Sequence, residues 1–422
     1  MTRAAATARD IESPYAWLRL GISLLLMTIG GSGMYSVTVV LPRIQAEFAV
    51  DRGAASLPYT LTMVGFGLGG ILMGRLSDRF GVLVPVLLGA AGLGAGFIAA
   101  GSAATLWQFS LAQGVLIGLL GTSATFAPLV ADTSQWFDRR RGIALAVCMS
   151  GNYVAGAIWP PVMQHFIESV GWRATYLGIG VFCFLSILPL ALVLRRRPPP
   201  QQQMTAAGNA ATSDGSQAPL VLGMSAGAAQ ALLCVAGVSC CVAMSMPQVH
   251  IVAYCGDLGF GAARGAEMLS VMLGMGVLSR LASGWISDRI GGLRTLLLGS
   301  VLQGVALLLF LPFDGLASLY LVSGLFGLFQ GGIVPSYALI VREYFSPKEA
   351  GARVGTVLMA TLFGMALGGW MSGAVFDLTG SYRAAFLNGI GWNLLNVSIV
   401  VFLLHRARLL TFASMLRPAG ST

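Results

Sequence analysis

A chain of 422 residues that is 56% hydrophobic and only 10% charged, with mean hydropathy +0.79, lies outside the range of soluble domains. A net charge of +9 and a pI near 9.6 would suit nucleic acid, but the basic residues sit in short loops between apolar segments, which excludes it. The polar start, Met1 to Asp10, leads straight into a spanning segment, so no cleavable signal peptide is expected.

Apolar runs long enough to span a bilayer fall at 17–42, 54–76, 82–101, 105–131, 141–166 and 173–194. A second set falls at 222–252, 263–288, 293–312, 316–344, 350–376 and 381–405. They predict an all-α membrane protein with twelve transmembrane helices in two pseudo-symmetric six-helix bundles. Residues 1–194 form the N-terminal bundle, 195–221 a linker, and 222–422 the C-terminal bundle with a short tail. The linker opens Arg195-Arg196-Arg197 and continues in Pro, Gln, Ala, Ser, Thr and Gly, the composition of a flexible connector.

An even number of spans puts both termini on one side. That side carries 19 of the 25 Lys and Arg residues, Arg19 among them at the edge of the first run; the opposite loops carry Arg43, Arg52, Arg173, Arg264 and Arg383. The positive-inside rule then places both termini in the cytoplasm of a multi-pass protein of the cell (inner) membrane.

Arg280 stands apart from both sets. It lies eight residues before Asp288, about 12 Å along a helix and close to the middle of a ~30 Å apolar layer. A charge there costs at least a few kcal/mol and faces a cavity or a partner rather than lipid. Gly276, Val277, Ser283 and Gly284 flank it on its own helix, none of them acidic. Two readings stay open: a transient anion, or a structural ion pair with Asp132 at the end of the fourth run.

The two halves repeat. Gly74-Arg75-Leu76-Ser77-Asp78-Arg79-Phe80-Gly81 matches Gly284-Trp285-Ile286-Ser287-Asp288-Arg289-Ile290-Gly291 at an offset of 210, and Trp172-Arg173-Ala174 matches Tyr382-Arg383-Ala384 at the same offset. Parallel six-helix repeats place a substrate site near the midplane between them.

With this repeat, the chain resembles the major facilitator superfamily along all twelve runs. The signature Gly-x-Leu-x-Asp-Arg-x-Gly stands at Gly74 to Gly81; Val82 and Leu83 replace the basic pair that often follows. The resemblance implies a cytoplasmic latch built from Gly74, Asp78 and Arg79 with their counterparts Asp288 and Arg289. Within the superfamily the chain is similar to the monocarboxylate transporter and oxalate/formate antiporter group. The similarity rests on Trp136-Phe137-Asp138-Arg139-Arg140-Arg141-Gly142, Gly151, Gly156, Pro160-Pro161, Gly171-Trp172-Arg173, Pro247-Gln248-Val249-His250, Asp257-Leu258-Gly259 and the arginine of the eighth helix. Two departures matter. The group's oxalate exchangers carry a lysine in the eleventh helix, where this chain has Val357-Leu358-Met359-Ala360-Thr361-Leu362-Phe363; its only lysine is Lys348, in a loop. The animal members often pair the arginine with an aspartate one turn earlier, where Gly276 stands here. A single buried positive charge suits a monoanion better than a dianion.

The remaining site candidates each have two readings. His250 bonds or packs near the outer mouth, or takes part with substrate or a proton. Asn152 and Gln330 are buried amides, helix–helix glue or pocket donors. Tyr337 is a phenol able to donate to a carboxylate, and Tyr35 and Phe363 are expected to line the pocket. No Asp or Glu falls in the middle of a run, so a coupled proton would travel on His250, on an end-of-helix acid such as Asp132, or on the substrate itself.

The six cysteines lack metal-ligand spacing, no glycine cluster continues into Gly-Lys-Ser/Thr, and no nucleophile–base pair is visible. The expectation is therefore a monomeric carrier in a lipid bilayer for a small carboxylate such as lactate, pyruvate or formate, coupled to protons or running by exchange. It is not expected to be an enzyme or to bind a cofactor, a metal or nucleic acid. The alternatives are a proton-driven multidrug exporter and a non-transporting sensor. The first tends to hold an embedded carboxylate and an arginine three residues before Gln-Gly in the fourth helix; Ser110 precedes Gln113-Gly114 here. The second is disfavoured by the lack of an appended soluble domain.

Overall fold

The computed structural model describes residues 11–196 and 221–415. Among them, twelve helices are long and apolar enough to cross a membrane. Numbered as spans 1 to 12, they are Pro14–Phe48, Arg52–Phe80, Leu83–Gly101, Leu106–Trp136, Arg141–Val170, Trp172–Val193, Ala226–Asp257, Ala262–Ile290, Gly292–Leu309, Leu316–Tyr344, Glu349–Thr379 and Tyr382–Leu409. Every expected run falls on one of them. Spans 1, 2 and 7 continue a turn or more past their apolar stretch, because a helix need not end where the apolar layer does. Apart from an isolated bridge between Val221 and Met224, the regular structure of the described residues is helical. Most of the expected linker, 197–220, lies outside the described residues.

Three spans are broken, and the breaks touch other spans at sensitive places. Span 1 divides at Gly31 into Pro14–Gly30 and Ser32–Phe48. Span 4 winds as a π-helix over Ala112–Thr122 before a last segment, Ala127–Trp136. These two breaks meet, since a Cβ at Gly30 would collide with Thr125. Span 10 breaks between Gln330 and Ile333, and its Gly331 and Gly332 lie against Ser279 and Ser283 of span 8. Those two serines flank Arg280. Irregular backbone at membrane depth persists only where protein or a cavity surrounds it.

Three apolar clusters hold the bundle together. One belongs to the first half, around Phe97, Trp136 and Tyr176. One belongs to the second half, around Leu293, Tyr337 and Ile340. The third joins the halves and contains Met34, Tyr35, Tyr59, Tyr153, Met246 and Leu273. Across that junction span 2 packs on span 11, span 5 on span 8, and span 1 on span 7. Lipid tails are as apolar as leucine, so close fit rather than hydrophobic burial drives these contacts. At Gly373 of span 11 a Cβ would stand 2.8 Å from the Arg52 carbonyl oxygen of span 2.

The end bearing the repeated motif, here the motif end, shows why each copy closes on glycine. Gly81 and Gly291 have φ of 84° and 83°, conformations that other residues rarely adopt, and their N–H groups cap the carbonyls of Ser77 and Ser287. The opposite end of the bundle is the far end.

Candidate functional site

Spans 5 and 8 run antiparallel along the junction. Ser270 donates to the Ala157 carbonyl, Leu273 packs on Gly156, and Gly276 faces Tyr153. Arg280 closes the series by donating from Nη1 to the Met149 carbonyl at 3.1 Å. Arg280 lies ten residues before the end of its helix, about 15 Å along the axis. Its guanidinium carbon sits 4.4 Å from the centre of the Tyr153 ring. Its Nε is buried with no hydrogen-bond partner, and among the described residues Arg280 makes no ion pair.

The expected alternative partner, Asp132, is taken. Arg19 grips it with Nε to Oδ2 and Nη2 to Oδ1, both at 2.7 Å, and lies over the Trp136 ring. Arg19 therefore belongs inside span 1, only 2% exposed, and not to the basic residues ahead of it. The misplacement came from its position at the edge of the apolar run. Pairing with Arg280 is thus overturned: Asp132 is satisfied within its own half.

Tyr35 and Asn152 share the Arg280 neighbourhood. The Tyr35 ring packs on Gly156, and Asn152 lies beside Gly31 with Nδ2 3.7 Å from the Met34 sulfur. The break in span 1 thus faces the middle of span 5. Tyr153 was not singled out from sequence, because one aromatic in an apolar helix carries no signal of its own.

At the far end a second polar group joins the halves. Arg52, the first residue of span 2, donates to the Asp257 carboxylate of span 7, to the Tyr382 oxygen of span 12 at 2.8 Å and to Gln45 at 2.9 Å. Asp377 of span 11 accepts the backbone N–H of Arg52 at 2.9 Å and of Gly53 at 2.7 Å, capping span 2 from the opposite half. His250 continues the chain, with Nδ1 3.2 Å from the Tyr382 oxygen and Nε2 2.8 Å from the Gly369 carbonyl oxygen. A carbonyl only accepts, so Nε2 carries the proton. Arg52 only donates, so the Tyr382 hydroxyl is free to donate to Nδ1. At the motif end, by contrast, Asp78 and Asp288 are exposed and make no hydrogen bond or ion pair among the described residues. A Cβ at Gly74, Gly284, Gly351 or Gly355 would meet nothing within 4 Å.

The Major Facilitator Superfamily profile matches residues 22–316 and 232–413. The chain belongs to the major facilitator superfamily. It is therefore a multi-pass membrane transporter for a small-molecule substrate, not an enzyme. Among its relatives, monocarboxylate transporter 13 of Bos taurus is 27% identical over 339 residues, covering 78% of this chain and 75% of the relative. The MFS-type transporter opdF of Penicillium oxalicum is 25% identical over 303 residues, covering 72% and 69%. Solved structures show the same fold. A peptide transporter bound to alafosfalin superposes with a TM-score of 0.72 at 14% identity, over 92% of this chain and 95% of that one. A bacterial homologue of the human lysosomal transporter Spinster, inward-facing and unoccupied, superposes at 0.65 with 15% identity, over 96% and 98%.

In this superfamily member the other sequence candidates make no hydrogen bond or ring contact with Arg280 among the described residues. Tyr337 is fully buried in the second-half core and donates to Asn396 Oδ1 at 3.2 Å, so its hydroxyl is engaged in packing. Gln330 accepts from Gln248 Nε2 at 2.9 Å, an amide pair between spans 7 and 10; its own Nε2 has no partner. Phe363 is 48% exposed and shares its helix face with exposed Trp370 and Leu378. That face carries no hydrogen bond or ring contact to Arg280. His250 belongs to the far-end group.

Proposed function

We propose that this transporter carries a small organic monocarboxylate by alternating access, with Arg280 as the anion-binding group. One observation carries the reading: a guanidinium at the junction of the halves, deep in the bundle, held by a carbonyl and a ring face but by no acid. A resident carboxylate partner would cancel the charge; a substrate carboxylate cancels it only while loaded. The monocarboxylate transporters among the relatives support the same substrate class. A cation exporter is the weaker reading, because no Asp or Glu stands in the middle of a span to receive the cation.

The excess of basic residues at the motif end supports a cytoplasmic placement of that end and of both termini. In that orientation the Arg52–Asp257 contact lies on the outer side, and Asp78 and Asp288, the expected latch acids on the inner side, make no ion pair among the described residues. The proton, where one is coupled, enters with the acid; the empty carrier must reorient with a bare Arg280, so exchange outruns net uptake.

Flux of labelled pyruvate, lactate and formate into proteoliposomes tests the reading. Exchange of at least one acid is expected, and Arg280→Lys should lose most of it, because an ammonium cannot offer two parallel hydrogen bonds to a carboxylate. Absence of carboxylate flux together with export of a lipophilic cation would overturn it.

A further inference from the structure

We infer that Tyr153 is the positioning residue of the anion site, standing where a counter-ion would otherwise be. The inference rests on the assignment of Arg280 as the anion-binding group. Tyr153 is 7% exposed and lies between two residues of span 8 one turn apart. Its face supports the Arg280 guanidinium at 4.4 Å. Its edge fills the space above Gly276, so a Cβ at that position would run into Cδ1 and Cε1 of the ring. The two contacts have one consequence. While the ring stays there, residue 276 cannot carry a side chain, and no acid can approach Arg280 from that position.

The same geometry selects the edge of the guanidinium that meets the ligand. Nη1 is tied to the Met149 carbonyl, and the ring covers one face. The orphaned donor is Nε, which shares one edge of the guanidinium with Nη2. Two parallel N–H groups on that edge match the two oxygens of one carboxylate. A ring face attracts a cation without neutralising it, so Tyr153 fixes Arg280 in place while leaving its charge for the substrate. Fixing the fork in advance lowers the cost of ordering it on binding.

The test compares Tyr153→Phe, Tyr153→Leu and Gly276→Ala in full-length protein reconstituted for pyruvate, lactate and formate exchange. Each variant is first checked for monodispersity in detergent. Tyr153→Phe keeps the face and should stay within about threefold of the parent KM. Tyr153→Leu removes it and should raise KM about tenfold, with a smaller fall in maximal rate. Gly276→Ala displaces the ring from the other side and should raise KM in the same direction. A Tyr153→Leu protein with the parent KM overturns the inference, as does a Tyr153→Phe protein as impaired as Tyr153→Leu, which would make the hydroxyl the working group. Either result leaves the function standing so long as the parent exchanges a carboxylate and Arg280→Lys does not. A parent that exchanges none of the three acids, and is not stabilised by any of them in thermal melts, removes the underlying reading instead.

Discussion

Glu47 and Asp257 hold equivalent places in the two halves, 210 residues apart, as do Trp172 and Tyr382. In the first half the acid is satisfied at home: Glu47 accepts from Trp172 Nε1 and from Arg173, the latter at 3.0 and 2.6 Å. In the second half Arg383, the counterpart of Arg173, is exposed, and Asp257 instead takes Arg52 from across the junction. Tyr382 turns to the same arginine. One repeated arrangement thus serves two ends. In the first half it ties helices within a rigid body; in the second it ties one rigid body to the other. Only the second kind of contact must break when a carrier of this fold changes state.

The largest effect should follow from cutting the cross-half contact. Arg52→Gln removes an ion pair, the bond to Tyr382 and a cation–π contact with Phe376 at 4.4 Å. A fully buried pair of this kind can be worth 3–5 kcal/mol. The Asp257 side chain is 38% exposed, which lowers the figure to about 1–2 kcal/mol, roughly a five- to thirtyfold shift toward a far-end-open state. Spin labels on Ala104→Cys and Asp314→Cys, exposed far-end positions in opposite halves, should report longer distances. Glu47→Gln should lower thermal stability and leave the distance distribution unchanged. Equal shifts in both variants would show that the asymmetry has no mechanical meaning.

Asp377→Asn should act in the same direction but less. It weakens a cap that accepts two backbone N–H groups of span 2, and losing an N-cap costs about 1 kcal/mol. The same labels should show a shift of about fivefold. No change in distance would place the whole far-end preference on the Arg52 side chain.

The spans were legible because a bilayer demands about twenty apolar residues in a row, whatever packs against them. Arg280 was legible for the complementary reason: a charge in such a run is costly enough to need an explanation. Its surroundings were not. Tyr153 reaches it only because span 5 lies antiparallel on span 8 at one particular register, and nothing local in either helix sets that register. That neither Tyr337 nor Phe363 meets Arg280 was hidden for a related reason. Depth along a helix can be counted from sequence, but the direction a side chain faces depends on which neighbours flank the helix. Asp132 looked free because its partner, Arg19, sits at the boundary of an apolar run, where an arginine ordinarily marks the flank. Asp257 was visible as part of a family pattern, yet the crossing to Arg52 departs from the repeat and could not be inferred from it.

His250 sharpens the comparison with a smaller expected effect. It holds Tyr382 in line with Arg52 but touches neither Arg280 nor the Tyr153 ring, so it belongs to the seal and not to the anion site. A second proton on its ring would fall on Nδ1, which faces the Tyr382 hydroxyl. Glutamine can both donate to the Gly369 carbonyl and accept from Tyr382. His250→Gln should therefore leave carboxylate exchange within about twofold of the parent. Loss of exchange in this variant would draw His250 into the substrate site and dissolve the separation of seal from site.

The smallest effect is expected where a charged contact stays within one half at the motif end. Glu12 lies ahead of span 1, and its carboxylate accepts the backbone N–H of Arg140 at 2.8 Å and of Asp138 at 3.3 Å. Its own N–H donates to the Trp136 carbonyl at 3.0 Å. The Arg140 hydrogen bond, outweighing a slight desolvation, holds this carboxyl below its ordinary value of 4.5. As pH falls, the unfolded chain takes up the proton first. The contribution is complete above the ordinary value and disappears as pH drops through the lowered one. Glu12→Gln should consequently melt about a degree below the parent at neutral pH. The two melting curves should converge as the medium is acidified through the lowered value. The distance between the far-end labels should not move, since Glu12, like Glu47, ties together parts of one rigid body. A label shift in this variant would mean that the N-terminal segment senses the state of the junction, and the division between contacts within a half and contacts across it would have to be redrawn.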